Sequence, residues 1–307
     1  MEVVSSPEFV REDKRPVVLA MGAFDGLHLG HQEIINRAIL RAQKENLPAA
    51  VYSFFPHPRQ VIAPENAPGM LLTEAQKEEK LARLGIDFYF QQKFDKQFSQ
   101  LSFEKFISRI LLEKIEVSRV VVGEDFKFGY QGQGDIKLLK KYGNKLGFAV
   151  TVVPIFKVKG RRVSSSYIRR LVSQGEVAEI PDYLGCHYSL QGRVVRGAGR
   201  GKKLGFPTAN LELLTDYVLP PDGVYAGYTI IEEERFLSLA NFGSKPTFID
   251  EDFSLEVHLI DFSGDLYERK LAFKIIERLR GEKRFSSPRE LKEQIKKDIL
   301  YTREILC

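Results

Sequence analysis

The sequence contains very little cysteine: Cys186 and Cys307 are the two among 307 residues, and they stand far apart. Neither has the spacing of a metal-ligand set or a redox pair, so a reducing, cytoplasmic location is expected. No apolar run is long enough to cross a bilayer, and the mixed-charge start lacks the apolar run of a secretory signal. We therefore expect neither a membrane-spanning segment nor export.

The charge has no strong bias to one sign. There are 46 basic and 41 acidic residues, a net charge of +5, and the two signs are interspersed along the chain. Such a mixture is typical of a solvated surface, and a mild positive excess suits a protein that handles nucleotide phosphates. We therefore predict small polyanions as partners, with no nucleic acid and no membrane, while the oligomeric state stays open.

Repeats and low-complexity segments are also missing, but the pattern changes along the chain. Up to about Ser173, continuous apolar runs such as residues 17–24 and 119–123 alternate with helical patterns, which predicts a parallel α/β sheet. Beyond it, short strands separated by Gly, Pro, Asn and Asp predict a small antiparallel barrel or sandwich with a terminal helix capped by Ser287. The predicted domains are residues 1–182 and 183–307.

A glycine-rich loop with two histidines, GAFDGLHLGH, joins the first strand to the first helix. That junction is the ligand-binding end of a parallel sheet. Gly22, Gly26 and Gly30 allow the backbone to approach a ligand, and the helix start attracts anions. His28 and His31 can converge on one phosphate and stabilise the charge that develops when an α-phosphate is attacked. A zinc pair is the alternative, but no nearby cysteine or carboxylate pattern completes it.

This loop resembles the two-histidine signature of the nucleotidyltransferase superfamily, and its Phe-Asp-Gly form is similar to bacterial FAD synthetases. Members of that family transfer the adenylyl group of ATP to a phosphate acceptor and release pyrophosphate. The resemblance implies a Rossmann-like domain in which His28 and His31 are catalytic. It further implies that the nucleotide is bound through Gly22, Phe24, Asp25 and Gly26.

Three further segments resemble the same family in the expected order: FPHP, GEDFKFG and VSSSYIRR. His57 stands between two prolines, so it lies outside a helix interior; a solvated turn is the alternative interpretation. Asp125, where the family has Asn or Asp, is predicted to bind a ribose or base. Ser164, Ser165 and Arg169 are predicted to hold the triphosphate at a helix entry, the alternative being an ordinary cap with a surface arginine.

A second glycine-rich segment, GRVVRGAGRGKKLGFPTANL, carries Gly197 and Gly199 in alternation. It is not a dinucleotide loop, because Gly205 and Pro207 prevent the helix that would have to follow. A P-loop is excluded as well, because that motif needs a glycine where Arg196 stands and a Ser or Thr after the lysine.

The segment instead resembles the riboflavin kinase module, whose hallmark is Pro-Thr-Ala-Asn after a glycine-rich turn. The resemblance implies that Thr208 and Asn210 hold Mg²⁺, for which a hydroxyl and an amide oxygen are suitable hard ligands. Lys202 replaces the usual arginine, which keeps the charge but loses bidentate geometry. The predicted ATP-binding residues are Gly197, Gly199, Lys202, Pro207, Thr208 and Asn210.

The kinase reaction also needs a base for the hydroxyl of riboflavin. In SLEVHLID, alternation puts Leu255, Val257 and Leu259 on one face and Glu256 and His258 on the other. Solvated strand faces carry glutamate routinely, so the pattern alone leaves its role open. The resemblance implies that Glu256 is the catalytic base and that His258 is supporting structure.

The two signatures together resemble the bacterial bifunctional riboflavin kinase/FAD synthetase family. The resemblance implies an α/β domain followed by an antiparallel β-barrel of the riboflavin kinase type. It also implies that ATP and Mg²⁺ serve to convert riboflavin to FMN with release of ADP, and FMN to FAD with release of pyrophosphate. The alternatives are an adenylyltransferase for a nicotinamide or pantetheine phosphate, a single-activity enzyme, or a flavin-binding regulator on a decayed enzyme. Either FPHP or residues 131–134 are expected to contact the flavin.

Overall fold

A computed structural model describes residues 1–5, 16–197, 199, 201, 204–246 and 251–306, and the side chains of all of these except 244–246 and 251–253. Lys202 lies outside the described residues, so the role predicted for it stays a prediction. The chain divides into two compact units. The first comprises Met1–Pro68 with Glu74–Ser164, and the second comprises Gly69–Thr73 with Ser165–Cys307.

The first unit is built on a six-stranded sheet in the order β1-β4-β3-β2-β5-β6, and every strand pair is parallel. The predicted parallel α/β fold is therefore confirmed. All five residues of β2 are buried, because helices cover both faces of such a sheet. The strands are β1 (Glu2–Ser5), β2 (Val17–Met21), β3 (Ala49–Phe55), β4 (Phe88–Lys93), β5 (Val117–Gly123) and β6 (Ala149–Val153), followed by the hairpin β7 (Lys157–Val158) and β8 (Arg161–Arg162).

The first helix begins earlier than the sequence pattern predicts. The apolar spacing in QEIINRAILRAQKEN predicts a helix over residues 32–46, whereas α1 spans Leu29–Glu45. Gly30 and His31 therefore lie in its first turn, and His28 is its N-cap. The preceding strand ends at Met21 rather than at Phe24. The other helices of this unit are α2 (Pro58–Ile62), α3 (Glu74–Leu84), α4 (Lys96–Ser99), α5 (Phe103–Lys105) with a π-helix at Phe106–Ile115, and α6 (Ile136–Leu146).

The second unit contains a closed six-stranded antiparallel barrel in the order β10-β13-β12-β11-β14-β9. Of the two alternatives that the sequence predicted, a barrel or a sandwich, the structure has the barrel. Burial in β13 alternates as the sequence pattern predicts, with Leu255, Val257 and Leu259 buried. The strands are β9 (Ser189–Val195), β10 (Ala209–Leu213), β11 (Gly223–Ile231), β12 (Glu234–Pro246), β13 (Glu251–Leu259) and β14 (Lys270–Arg280).

The α-helices bounded in the described part of this unit are α7 (Ser165–Gln174), α8 (Ile180–Leu184) and the terminal α9 (Pro288–Leu306). The predicted cap of α9 is present, because Ser287 Oγ accepts a hydrogen bond from the Glu290 N–H at 3.3 Å. The carboxylate of Glu290 accepts from the N–H and the hydroxyl of Ser286 instead of closing on Ser287. Among the helices of the described ranges, none is long and apolar enough to cross a membrane.

Candidate active sites

The loop after β2 is held in an unusual backbone conformation. Phe24, Gly26 and Leu27 have φ values of 49°, 83° and 48°, in the left-handed region that non-glycine residues rarely adopt. Phe24 and Leu27 are fully buried despite this. Asp25, also predicted to bind the nucleotide, is 2% exposed. The loop is thus a fixed part of the core that ends at the N-terminus of α1.

The two histidines predicted to be catalytic are brought together. Their rings stack with centroids 3.5 Å apart at an interplanar angle of 17°. His28 Nδ1 accepts a hydrogen bond from the backbone N–H of His31 at 3.2 Å. The ring of Phe24 meets His31 edge-on, with centroids 5.3 Å apart. The stack therefore lies at the amino end of α1, where free N–H groups favour anions.

The electrostatics of this stack favour neutral imidazole at His31. Burial lowers the pKa of His31 well below its usual value, and the nearby charges of His28 and Lys77 lower it further. Nδ1 of His31 is buried and has no hydrogen-bond partner among the described residues. A neutral ring has one N–H donor and one acceptor, so it can contact a phosphate without carrying a charge of its own.

Sequence reasoning missed Lys77, whose side chain is 3% exposed. Its ammonium lies 2.9 Å from Glu74 Oε2, and the hydroxyl of Tyr89 donates to the other oxygen of the same carboxylate. A buried ammonium needs such a partner because desolvation otherwise disfavours the charge. The signal was present in the sequence: Lys77 precedes Leu81 and Leu84 at helical spacing, on the apolar stripe of α3.

Asp125 and His57 have partners that the sequence did not suggest. Asp125 pairs with Arg162 of the β7–β8 hairpin, and both side chains are about half exposed. His57 caps α2: its Nδ1 accepts from the Arg59 N–H, and its own N–H donates to the Gln60 side chain. The helix-capping contact gives His57 a structural task, and its predicted ligand contact stays a prediction.

An aromatic cavity of about 270 Å³ opens beside the loop in the first unit. Both segments named as alternatives for flavin contact reach it, because Pro58 of FPHP lines it, as do Gln131 and Gly132. Gly22, the first residue of the loop, also lines it. The aromatic lining residues are Tyr52, Phe54, Phe94, Phe98, Phe106, Phe126 and Phe128.

The predicted triphosphate residues are divided between the two compact units. Ser164 is the last residue of the first unit, whereas Ser165 and Arg169 belong to the second. As predicted, the serines stand at a helix entry, because α7 begins at Ser165. The Nε of Arg169 donates to the carbonyl oxygen of Gly69 at 2.7 Å. The phosphate contacts expected of the three residues stay predictions.

In the second unit, the glycines of the loop before β10 make room for side chains of the predicted site. A Cβ on Gly197 would lie 2.2 Å from Nδ2 of Asn210. A Cβ on Gly201 would lie 2.4 Å from the carbonyl oxygen of Phe206 and 3.1 Å from Oγ1 of Thr208. Gly199 has a φ of 64°, a conformation that favours glycine. Gly197 and Gly201 thus pack closely against residues 206–210, which include the Pro-Thr-Ala-Asn segment.

The polar residues of the second site form a row across three strands. Glu256 on β13 is paired in register with Asn210 on β10 and with Asn241 on β12. The Thr208 hydroxyl donates to Oε2 of Glu256 at 3.2 Å. Sequence reasoning named three of these four residues; the contribution of Asn241 depends on strand pairing, which local spacing does not reveal.

His258 supports the loop, as the sequence analysis expected. Its Nδ1 lies 2.8 Å from the carbonyl oxygen of Pro207. Since a carbonyl only accepts, this nitrogen carries the proton. The ring also meets Phe206 edge-on, with centroids 5.7 Å apart. Pro207 itself, predicted to bind ATP, is thus held through its backbone.

A cavity of about 570 Å³ lies against this row. Thr208, Asn241 and Glu256 are in its wall, together with Phe206 and Phe285. The terminal helix α9 contributes another wall through Leu291, Ile295 and Asp298. Asp298 is 6% exposed and accepts hydrogen bonds from Arg280 at 2.9 to 3.4 Å, which ties the helix to the end of β14. Among the residues that the structure describes, no group of three or more His, Cys, Asp or Glu is arranged to hold a metal ion.

Two family models match successive parts of the chain. A model described as FAD synthetase matches residues 10–167, and one described as riboflavin kinase matches residues 184–306. The FAD synthetase match contains the strands β2 to β6 of the parallel sheet, and the riboflavin kinase match contains the strands of the barrel. The fold and the two sites therefore define a flavin-cofactor transferase with two catalytic modules.

Full-length relatives carry both modules. A bifunctional riboflavin kinase/FMN adenylyltransferase of Escherichia coli K12 is 38% identical over 94% of this chain and 92% of its own length. A Pseudomonas fluorescens protein of the same description is 35% identical over 99% of this chain and 98% of its own. The chain belongs to the bifunctional riboflavin kinase/FMN adenylyltransferase family.

A solved structure shares the fold over the whole chain. A crystal structure from Streptococcus pneumoniae superposes with a TM-score of 0.89 at 30% identity, covering 98% of each chain. It is described as a macrolide-efflux protein, whereas the relatives above are described as flavin enzymes.

Proposed function

We propose that this chain converts riboflavin to FMN in the barrel unit and FMN to FAD in the parallel-sheet unit, with the two sites assigned as follows. Glu256, Thr208 and Asn210 serve phosphoryl transfer, and His28 and His31 serve adenylyl transfer. The observation that carries the proposal is that the residues of each set meet: the rings of His28 and His31 stack, and Glu256 pairs in register with Asn210 and accepts a hydrogen bond from the Thr208 hydroxyl in a cavity wall.

The barrel site fits phosphoryl transfer to a primary alcohol. The Glu256 carboxylate stands in the cavity wall and already accepts a hydrogen bond from one hydroxyl, that of Thr208. In the reaction the 5′-hydroxyl of riboflavin attacks the γ-phosphorus of ATP, Glu256 takes the hydroxyl proton, and ADP leaves. A base placed within hydrogen-bond reach contributes about 10²–10⁴-fold to such a step. The apolar wall from Phe206, Phe285, Leu291 and Ile295 suits the flavin ring.

The residues at this site fit Mg²⁺ as a companion of ATP. Thr208 and Asn210 offer a hydroxyl and an amide oxygen, which are the hard ligands that this ion accepts. No protein cage of carboxylates is needed, since Mg²⁺ is commonly held by one or two protein groups with water and substrate phosphates. When bound, the ion neutralises charge on the transferring phosphate. We propose Thr208 and Asn210 as its protein ligands.

The histidine stack fits adenylyl transfer. A phosphate oxygen of FMN attacks the α-phosphorus of ATP, and the bond to pyrophosphate breaks, so no protein group needs to form a covalent bond. The amino end of α1 and the ring N–H groups of His28 and His31 lie where negative charge is stabilised. Gly22 of the same loop lines the aromatic cavity, which supports our proposal that the flavin ring binds there with its phosphate directed toward the histidines.

The remaining assignments concern nucleotide contacts and location. We propose Asp125, Ser164, Ser165 and Arg169 as ATP contacts of the adenylyl-transfer reaction, and residues 182 and 183 as the limit between the activities. That limit falls in the gap between the two family matches, which end at residue 167 and begin at residue 184. The scarcity of cysteine supports a reducing location, and we propose the cytoplasm.

Two variants of the full chain test the assignment. Glu256→Gln keeps the size of the side chain and removes the base, so FMN formation from riboflavin is expected to fall by about 10²–10⁴-fold. His28→Ala is expected to lower FAD formation from supplied FMN by about 10²–10³-fold. Each variant serves as the control of the other, because Glu256→Gln is expected to retain FAD formation from FMN and His28→Ala is expected to retain FMN formation from riboflavin.

Product analysis decides the outcome. Separation of riboflavin, FMN and FAD over time measures both activities in one sample. Full FAD formation by His28→Ala, or full FMN formation by Glu256→Gln, would remove the corresponding residue from the proposal. Loss of both activities in either variant would indicate damage to the fold instead of a role in one reaction, and thermal unfolding distinguishes that case.

A further inference from the structure

The segment that presents His28 is strained and must be held by its surroundings. Phe24 and Leu27 are non-glycine residues in the left-handed region, with φ values of 49° and 48°. Such conformations persist only where neighbouring groups fix them. Leu27 directly precedes His28, so its backbone determines where the His28 side chain begins.

Two side chains donate short hydrogen bonds to carbonyl groups of this loop. The Gln32 amide nitrogen donates to the Leu27 carbonyl oxygen at 2.8 Å, and the Ser53 hydroxyl donates to that of Ala23 at 2.9 Å. Two backbone bonds of the loop are longer: Leu27 N–H to Phe24 O spans 3.4 Å and Gly22 N–H to Tyr52 O spans 3.3 Å. Bonds of that length lie beyond the usual N–H···O range of 2.7 to 3.2 Å and are weaker.

Gln32 holds the peptide planes on both sides of His28. Its side chain binds the carbonyl of the Leu27–His28 peptide, and its backbone N–H donates to the His28 carbonyl oxygen at 2.9 Å. Because a peptide unit is planar, fixing a carbonyl fixes the plane. With both planes held, the remaining freedom of His28 is that of its side chain, which accepts from the His31 N–H.

We propose that Gln32 is a positioning residue of the adenylyl-transfer site, which anchors the Leu27 carbonyl and so sets the place of His28. The inference rests on the proposed role of His28. Gln32 acts through the backbone of the loop, and the histidine stack is the group that it places.

The test uses Gln32→Glu in the full chain. Ionised Glu has the same size but is only an acceptor, so it cannot bind the Leu27 carbonyl. A displacement of about 1 Å at a catalytic group costs on the order of 10²-fold, so kcat for FAD formation is expected to fall by roughly 10–100-fold. KM for ATP and FMN is expected to change little. FMN formation from riboflavin by the same chain is expected to stay at the wild-type level.

The pH dependence separates positioning from general damage. Protonated Glu has an O–H donor, so the ratio of variant to wild-type kcat is expected to rise as the pH is lowered. Gln32→Met also lacks the donor but cannot titrate, so its ratio is expected to be low and flat. It is used alone if Gln32→Glu does not fold. Gln43→Glu, the same substitution at an exposed position of α1, is the matched control and is expected to keep both activities.

The outcomes are distinct. If Gln32→Glu and Gln32→Met keep the wild-type kcat while His28→Ala loses FAD formation, the positioning role is overturned and the site assignment stands. If His28→Ala also keeps FAD formation, the proposed function of the loop fails as well. A second pair of outcomes would replace the positioning role by a structural one. In the first, kcat for FAD formation falls in both Gln32 variants and the ratio of variant to wild-type kcat does not change with pH in either. In the second, a Gln32 variant loses both FAD formation and FMN formation.

Discussion

Gly197→Ala offers a direct test of how the kinase site is assembled. The backbone of Gly197 lies against the side-chain amide of Asn210, and an added Cβ would stand 2.2 Å from Nδ2 and 2.4 Å from Cγ. Gly197 is not among the glycines with positive φ, so alanine fits the backbone there. The three heavy atoms nearest to the added Cβ all belong to Asn210, so the perturbation acts first on that side chain.

The size of the effect follows from the geometry. Ordinary contacts begin at 3.4 Å, so the amide must move away by more than 1 Å. A misplacement of about 1 Å in a site of this kind costs on the order of 10²-fold in rate. Overpacking is expected to cost about 1–3 kcal/mol of stability, which leaves most of a typical folding free energy in place.

The assay measures FMN formation from riboflavin and FAD formation from supplied FMN by the same full-length variant. The first is expected to fall by about 10²-fold, and the second to remain at the wild-type level. Since both changes act through one amide, Gly197→Ala/Asn210→Ala should be no slower than Asn210→Ala alone. A wild-type rate for Gly197→Ala, or losses that multiply in the double variant, would refute the reasoning.

Two further predictions concern the first unit. Burial lowers the pKa of His31, so below a pH of about 6.5 the unfolded chain binds a proton at this residue that the folded chain does not bind. The free energy of unfolding should therefore decrease as the pH drops below about 6.5, by up to about 1.4 kcal/mol per pH unit. Thermal unfolding of His31→Gln between pH 7 and 5 should show a shallower loss, and an unchanged slope would contradict the assigned burial. Phe54→Ala removes an edge-to-face partner of Phe94 in the aromatic cavity, so KM for FMN in FAD formation should rise by about 3–10-fold. KM for riboflavin in FMN formation is the control, and a rise in both would argue against a flavin site in this cavity.

The parallel sheet was predictable where its strands are buried on both faces. β2 and the first four residues of β3 are buried and form continuous apolar runs in the sequence. β1 gave no signal, because three of its four residues are exposed and it pairs at the sheet edge with β4. The start of α1 was misplaced because Leu29, Gly30 and His31 belong to the loop motif by sequence and to the first helical turn by geometry.

The candidate sites were predictable in their local parts. His28, His31, Thr208 and Asn210 were found because each pair belongs to one short motif. Partners on other elements were not found: Ser53 is 30 residues from Ala23 and Arg162 is 37 residues from Asp125. Such contacts depend on the register and connection of elements, which a spacing pattern along the chain does not contain.

Gly30 and Gly197 have a structural role in addition to the one that the glycine-rich pattern suggested. A glycine-rich loop was expected to leave room for the backbone to approach a ligand. In the structure the missing Cβ of Gly30 faces the His28 ring at 3.3 Å, and that of Gly197 faces the Asn210 amide at 2.2 Å. The space is taken by the side chains proposed to act on the substrate. In both units glycine therefore allows the backbone to pack against these side chains and restrict their positions before ATP binds, which is the preorganisation that electrostatic stabilisation of a transition state requires.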